Sequence, residues 1–218
     1  MNFGSIVDRI GGLLGFESET AKKKRLFMEK SQELTMAVNA IDLELVSFNM
    51  DELDLLSMKS EVIQKGNRRN PKITKFPNIY HEPIFVSVLD YLSRGDGEMA
   101  MKVFSRSNVY TYWIKSDSVL IWSGNNFWGH LMPNGEFVYK NNKVVGRISS
   151  NKTHGHLEFA VSEKVQATMD LMVKDIKAST RAFDYTLFSS ESAFELTKIL
   201  ALFILSNPSA SFKLNLWP

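Results

Sequence analysis

The residues best suited to hold a metal ion lie in Thr153-His154-Gly155-His156-Leu157-Glu158. On a strand, His154, His156 and Glu158 point to one side, and two imidazoles with a carboxylate suit zinc, iron or manganese. His130 would add a ligand from a neighbouring strand. Leu157, Phe159 and Val161 occupy the alternate positions, and that alternation by itself favours a polar face turned to water. The metal-dependent enzyme is therefore one reading of these residues and a solvated strand the other.

A second chemistry is the stacking of unpaired bases. Between Ser107 and Lys152 there are eight aromatic residues, five bases and two acids. Trp113 and Trp128 would stack on bases while Lys140 and Lys143 follow the phosphates. Arg68, Arg69 and Lys72 would extend the footprint. Aromatic side chains in strands also fill cores, so the same residues are core candidates.

Nucleophilic catalysis finds little support. There is no Gly-x-Ser-x-Gly elbow, no His-Glu-x-x-His and no Gly-x-x-x-x-Gly-Lys phosphate loop. Gly11, Gly12 and Gly15 follow no strand, so they make no dinucleotide fingerprint. The chain has no cysteine, which removes thiolate nucleophiles, disulfides and sulfur-bound zinc. No catalytic residue and no cofactor is expected.

The strongest spacing signal belongs to association. Phe27, Leu34, Ile41 and Phe48 recur every seven residues, with Val38 and Leu45 four residues after Leu34 and Ile41. An apolar repeat of 3.5 residues keeps one helical stripe against a partner. Ser18 or Thr20 can cap this helix. A second helix through Leu53, Leu56 and Ile63 would return as a hairpin. From Glu33 to Glu61 there are seven acids and one base, whereas Lys65 to Lys75 holds five bases and no acid. Segregated charge of this kind suits electrostatic register between molecules. The leading expectation is a non-catalytic interaction or assembly protein, of the type found among viral and phage structural proteins. It would associate with its own copies or a protein partner through Phe27, Leu34, Val38, Ile41, Leu45 and Phe48. Single-stranded nucleic-acid binding is the alternative.

The elements that must position these residues give an α+β reading. Residues 1–65 form a helical arm and hairpin, 66–82 a basic Pro/Gly linker, and 83–218 an α+β domain. At 218 residues, with 44% hydrophobic and 23% charged residues, the chain can bury a sizeable core without staples. Within residues 3–16 an amphipathic pattern, followed by basic residues 22–25, offers a contact with a membrane surface. Residues 1–16 lack a basic signal-peptide start, which points to the cytoplasm, or a host cytoplasm for a viral chain. Ile199–Leu205, the most apolar run, is far short of the roughly 20 residues a spanning helix needs.

Ile84, Phe85, Val88, Leu89 and Leu92 suggest a helix after Pro83, and Met99, Met101 and Phe104 a further short one. From Val109 to Val161 the period falls to two, and turn residues at 124–126, 133–135 and 141–142 punctuate an antiparallel meander of four to six strands. Ser162 would cap a helix burying Val165, Met169, Met172, Val173 and Ile176. A second C-terminal helix covers residues 190–206, and both would pack on the sheet. Phe212, Leu214 and Leu216 suit an edge strand.

Overall fold

A computed structural model of the chain describes residues 18–41, 44–47, 49–67, 70–93, 97–151, 156–170 and 180–207. Twelve strands follow one another, each pairing antiparallel with the next in sequence order. They are β1 (Glu61–Gln64), β2 (Lys72–Pro77), β3 (Pro83–Tyr91), β4 (Met99–Phe104), β5 (Val109–Ile114) and β6 (Val119–Ser123). The second half comprises β7 (Asn126–Leu131), β8 (Glu136–Tyr139), β9 (Val144–Asn151), β10 (His156–Val161), β11 (Lys164–Asp170) and β12 (Tyr185–Thr186). Two α-helices, α1 (Glu19–Asn39) and α2 (Glu191–Ser206), and a 3-10 helix (Met50–Leu55) complete the described elements.

The sheet curls until its two ends meet. The Ser57 N–H donates to the Pro77 carbonyl at 3.0 Å, beside β2. On the other side the Met58 N–H donates to the Thr180 carbonyl at 2.8 Å, and the Ala182 N–H to the Leu56 carbonyl at 2.7 Å. Residues 56–58 thus bridge the first strands to the segment entering β12. Closure of this kind satisfies backbone groups that an open sheet edge would leave unpaired.

What the sheet encloses is α2. Twelve of its sixteen residues are buried, on all sides of the helix. A helix apolar all round must sit inside a core, and the inward residues of the strands supply that core. Phe76, Phe85, Met101, Tyr112, Ile121, Leu131, Phe137, Ile148, Phe159 and Met169 come from ten successive strands and form one cluster with Ile199, Leu202 and Phe203. The Tyr112 hydroxyl donates to the Ile199 carbonyl at 2.9 Å, fixing the helix along its axis. Gly146 leaves room for Leu196, whose Cδ2 would lie 2.8 Å from an added Cβ. Near the start of α2 the buried ammonium of Lys198 pairs with Glu195, whose other oxygen accepts from the Tyr110 hydroxyl at 3.0 Å. A buried charge needs this kind of pairing to offset its lost hydration.

Gln166 directs the chain into the interior. It is the extra residue of a bulge opposite Phe159 and Ala160, and is 1% exposed. Its side-chain oxygen accepts from the Ser189 N–H at 2.9 Å, and its carbonyl from the Leu187 N–H at 2.7 Å. Both bonds hold the turn that leads from β12 into α2, whose first turn Ser190 caps.

Several expectations are corrected here. Two helices and a sheet fit α+β, but the meander has twelve strands rather than four to six. The N-terminal helical hairpin is absent among the described residues: a 3-10 helix and then β1 occupy the place of its second arm. Residues 72–77, expected as linker, form β2, and the helix expected after Pro83 is β3. In β3, Phe85 and Leu89 turn inward while Val86 and Val88 turn outward under α1. Both faces are buried, so the apolar run loses its alternation and imitates a helix. Met99–Phe104 is likewise a strand.

Ser162 caps no helix. It and Glu163, at φ 50° and 66°, make the turn between β10 and β11. Val165 and Met169 stand four residues apart, as on a helix, but the bulge at Gln166 turns Val165 outward, 40% exposed, and Met169 inward. Met172, Val173 and Ile176 of the expected stripe lie outside the described residues. A single C-terminal helix, α2, lies among the described residues instead of two. The expected arm at 3–16 and edge strand at 212–216 lie outside them. Among the described residues no helix is long and apolar enough to cross a membrane.

Candidate interaction surface

α1 lies on the outside of the closed sheet. Its 21 residues run without Gly or Pro, and the Ser18 hydroxyl accepts from the Ala21 N–H at 3.2 Å to cap it. Only two of its side chains are buried, Phe27 and Leu34, seven residues apart on one stripe. They meet the outward residues Ile73, Val86, Val88, Ala100, Phe104 and Trp113 of β2 to β5. The Phe27 ring stacks on Trp113 with centroids 4.8 Å apart and planes 10° from parallel. Trp122 flanks Phe27 at 5.3 Å and is itself flanked by Phe127 at 5.3 Å. The sheet therefore presents α1 with an aromatic floor.

Polar contacts line both sides of that floor. Glu98 takes the Lys23 ammonium at 2.9 Å on one oxygen and the Trp113 indole N–H at 2.8 Å on the other. Lys30 reaches Asp90 at 3.2 Å and Glu33 at 2.6 Å. Burial works against the charge of Lys30, yet its hydrogen bonds to Glu33 and Asp90 outweigh this and raise its pKa. Lys102 donates to the Thr35 hydroxyl at 2.7 Å. Burial lowers the Lys102 pKa, because this neutral partner does not replace the hydration of the ammonium. Helix and sheet are thus matched in charge as well as shape. The outward side of α1 leaves Met28 54% and Met36 63% exposed.

The expected partner-binding residues divide accordingly. Phe27 and Leu34 face the chain's own sheet, and Val38, Ile41 and Leu45 are half-buried around the same cluster. Phe48 lies outside the described residues. Sequence spacing found the stripe on α1 but not its partners on the sheet side, Asp90, Glu98, Lys102 and Trp113.

The expected nucleic-acid residues that lie among the described ones do not share a face. Trp113 is 6% exposed beneath Phe27. Trp128 is the extra residue of the bulge where β7 pairs with β6, half-buried against the interior cluster. Lys140 and Lys143 are exposed at the β8–β9 turn, with the Lys140 ammonium 5.5 Å from the Tyr139 ring centroid. Lys72 is half-buried on β2, and Arg68 and Arg69 lie outside the described residues.

Of the expected metal ligands, His156 and Glu158 share the outward side of β10, 3.4 Å apart. Glu158 also accepts from the Asn151 amide at 2.8 Å. His130 sits on β7, three strands away, and His154 lies outside the described residues. Among the described residues no three His, Asp or Glu side chains come together as a metal site. A separate cleft of about 460 Å³ opens where the sheet closes, lined by Asp54, Thr180, Arg181, Phe183, Asp184, Tyr185 and Thr186. Arg181 and Asp54 pair across it at 2.9 Å.

No family model, no curated protein and no solved structure matches this chain.

Proposed function

We propose that the chain is a non-catalytic interaction protein whose recognition surface is a helix-receiving groove on the outer face of β2 to β6. The observation that carries this reading is α1 itself. It occupies the groove through two buried side chains, Phe27 and Leu34, out of 21 residues. The remaining fit comes from an aromatic floor and from polar partners at Glu98, Asp90 and Lys102. This is the manner in which amphipathic helices dock in trans, with anchors at helical spacing and charges setting the register. Because α2 fills the interior of the closed sheet, recognition falls to the outer face.

The test is occupancy by an added helix. A peptide of residues 18–41 is titrated into the full chain carrying Phe27→Ala, with the emission of Trp113 and Trp122 as the signal. The peptide contains no tryptophan, and Trp128→Phe with Trp217→Phe in the full chain leaves Trp113 and Trp122 of the groove as the emitters. Saturable binding to the variant, much weakened with the unaltered chain, is expected. The tethered helix competes at an effective concentration of order mM. Absence of binding to the variant would remove the groove reading.

A further inference from the structure

We infer that the groove accepts the α1 helix of a second copy of this chain, so that two molecules exchange helices and form a closed, symmetric pair. The inference rests on the groove reading above and names its occupant. Every contact that seats α1 in its own groove is also available between copies, since each molecule carries both halves. Phe27 would stack on the other molecule's Trp113, and Lys23 and Lys30 would meet its Glu98 and Asp90, as they do within one chain. No new complementarity is required, which is why exchanged elements are a low-cost route to dimers.

The connection between helix and sheet permits it. Residues 40–49 separate α1 from the 3-10 helix at Met50, and ten residues extend to at most about 35 Å. This stretch is tied to the closed sheet by the Val46 N–H, which donates to the Pro83 carbonyl at 2.9 Å. Freeing α1 therefore breaks the groove contacts and that bond while leaving the twelve-strand pairing intact. The half-buried Val38, Ile41 and Leu45 continue the stripe into this connection. In an exchanged pair they lie where the two molecules approach, and gain cover that one molecule alone does not give them.

A chain without cysteine makes the test clean. Lys23→Cys and Glu98→Cys are introduced together, because the native side chains touch at 2.9 Å and both positions reach the surface. The full chain is treated with a short bismaleimide at concentrations from about 1 μM to about 1 mM, a range whose upper end reaches the effective concentration of a short tether. A one-to-one mixture of isotopically heavy and light chains supplies the protein. Peptide mapping expects position 23 of one isotope joined to position 98 of the other, with the mixed fraction rising at least tenfold across the range. Links confined to one isotope at every concentration would overturn the exchange. Sedimentation of the unaltered chain is a second readout, in which a mass fixed at one chain up to the highest concentration would overturn it as well. If the peptide of residues 18–41 binds the Phe27→Ala variant while all links stay within one chain, the groove survives and the second copy is excluded as its occupant.

Discussion

Replacing Phe27 by Ala separates two physical pictures of α1. In one, the helix is an occupant of the groove; in the other, it is a structural wall of the molecule. Phe27 is 3% exposed and stacks on Trp113 at 4.8 Å. Truncating a buried phenylalanine to alanine costs about 3–5 kcal/mol. Leu34, the other buried anchor, contributes about 1.5–3 kcal/mol by burial alone. A helix in a protein draws most of its stability from packing its apolar face, so the loss of Phe27 removes most of what seats α1.

If α1 is an occupant, the cost falls on docking. Trp113 and Trp122 lose their cover, their emission shifts to the red and iodide quenches it, while the closed sheet melts within a few degrees of the unaltered chain. If α1 is a wall, the same loss falls on global stability. At about 2–4 °C per kcal/mol for a chain of this size, the melting temperature then drops by roughly 6–20 °C. Unchanged tryptophan emission with a fall of that size would refute the separable helix.

Three further outcomes test the interior. Burial holds the Tyr112 hydroxyl neutral well above its ordinary value near 10, whereas the unfolded chain ionises there. Its contribution to stability is full below pH 10 and is lost as pH rises, so the unaltered chain should lose about 1.4 kcal/mol per pH unit more than Tyr112→Phe above that point. Urea unfolding at pH 8, 10 and 11 measures the difference, and parallel curves would contradict it. Gln166→Leu should cost about 1–3 kcal/mol, because the Ser189 N–H loses its acceptor in a partly buried turn; a neutral effect on urea unfolding would mean that Gln166 does not hold that turn. Gly146→Ala should cost about 1–3 kcal/mol by forcing Leu196 aside. Leu196→Ala in the same chain should recover part of this, and purely additive costs would dissociate the two residues.

How far the residues announced this arrangement depended on the range of the forces involved. The hairpin turns were legible because their chemistry is local. Gly135 at φ 82° and Asn142 at φ 62° adopt the left-handed backbone that such turns demand. α2 was legible because Ile199–Leu205 is apolar on every side. β3 and β11 were not. In β3 both faces are covered, and in β11 the bulge at Gln166 breaks the alternation that would have marked a strand. The closure through residues 56–58 and 180–182 joins segments more than 120 residues apart, and backbone bonds of that kind leave no trace in side-chain periodicity. For α1 the stripe showed which residues are buried but not what buries them. The heptad spacing of Phe27 and Leu34 fits a partner helix and the chain's own sheet equally well.

Native-state hydrogen exchange bears most directly on α1 as a separable occupant. Two buried anchors worth about 1.5–3 kcal/mol each correspond to roughly two to four decades of protection. The enclosed α2 should open only with the whole fold, at about 5–15 kcal/mol. The amides of α1 should therefore exchange together and well ahead of those of α2, with the strands keeping the protection of α2. Equal protection of α1 and α2, lost in one step, would contradict the account.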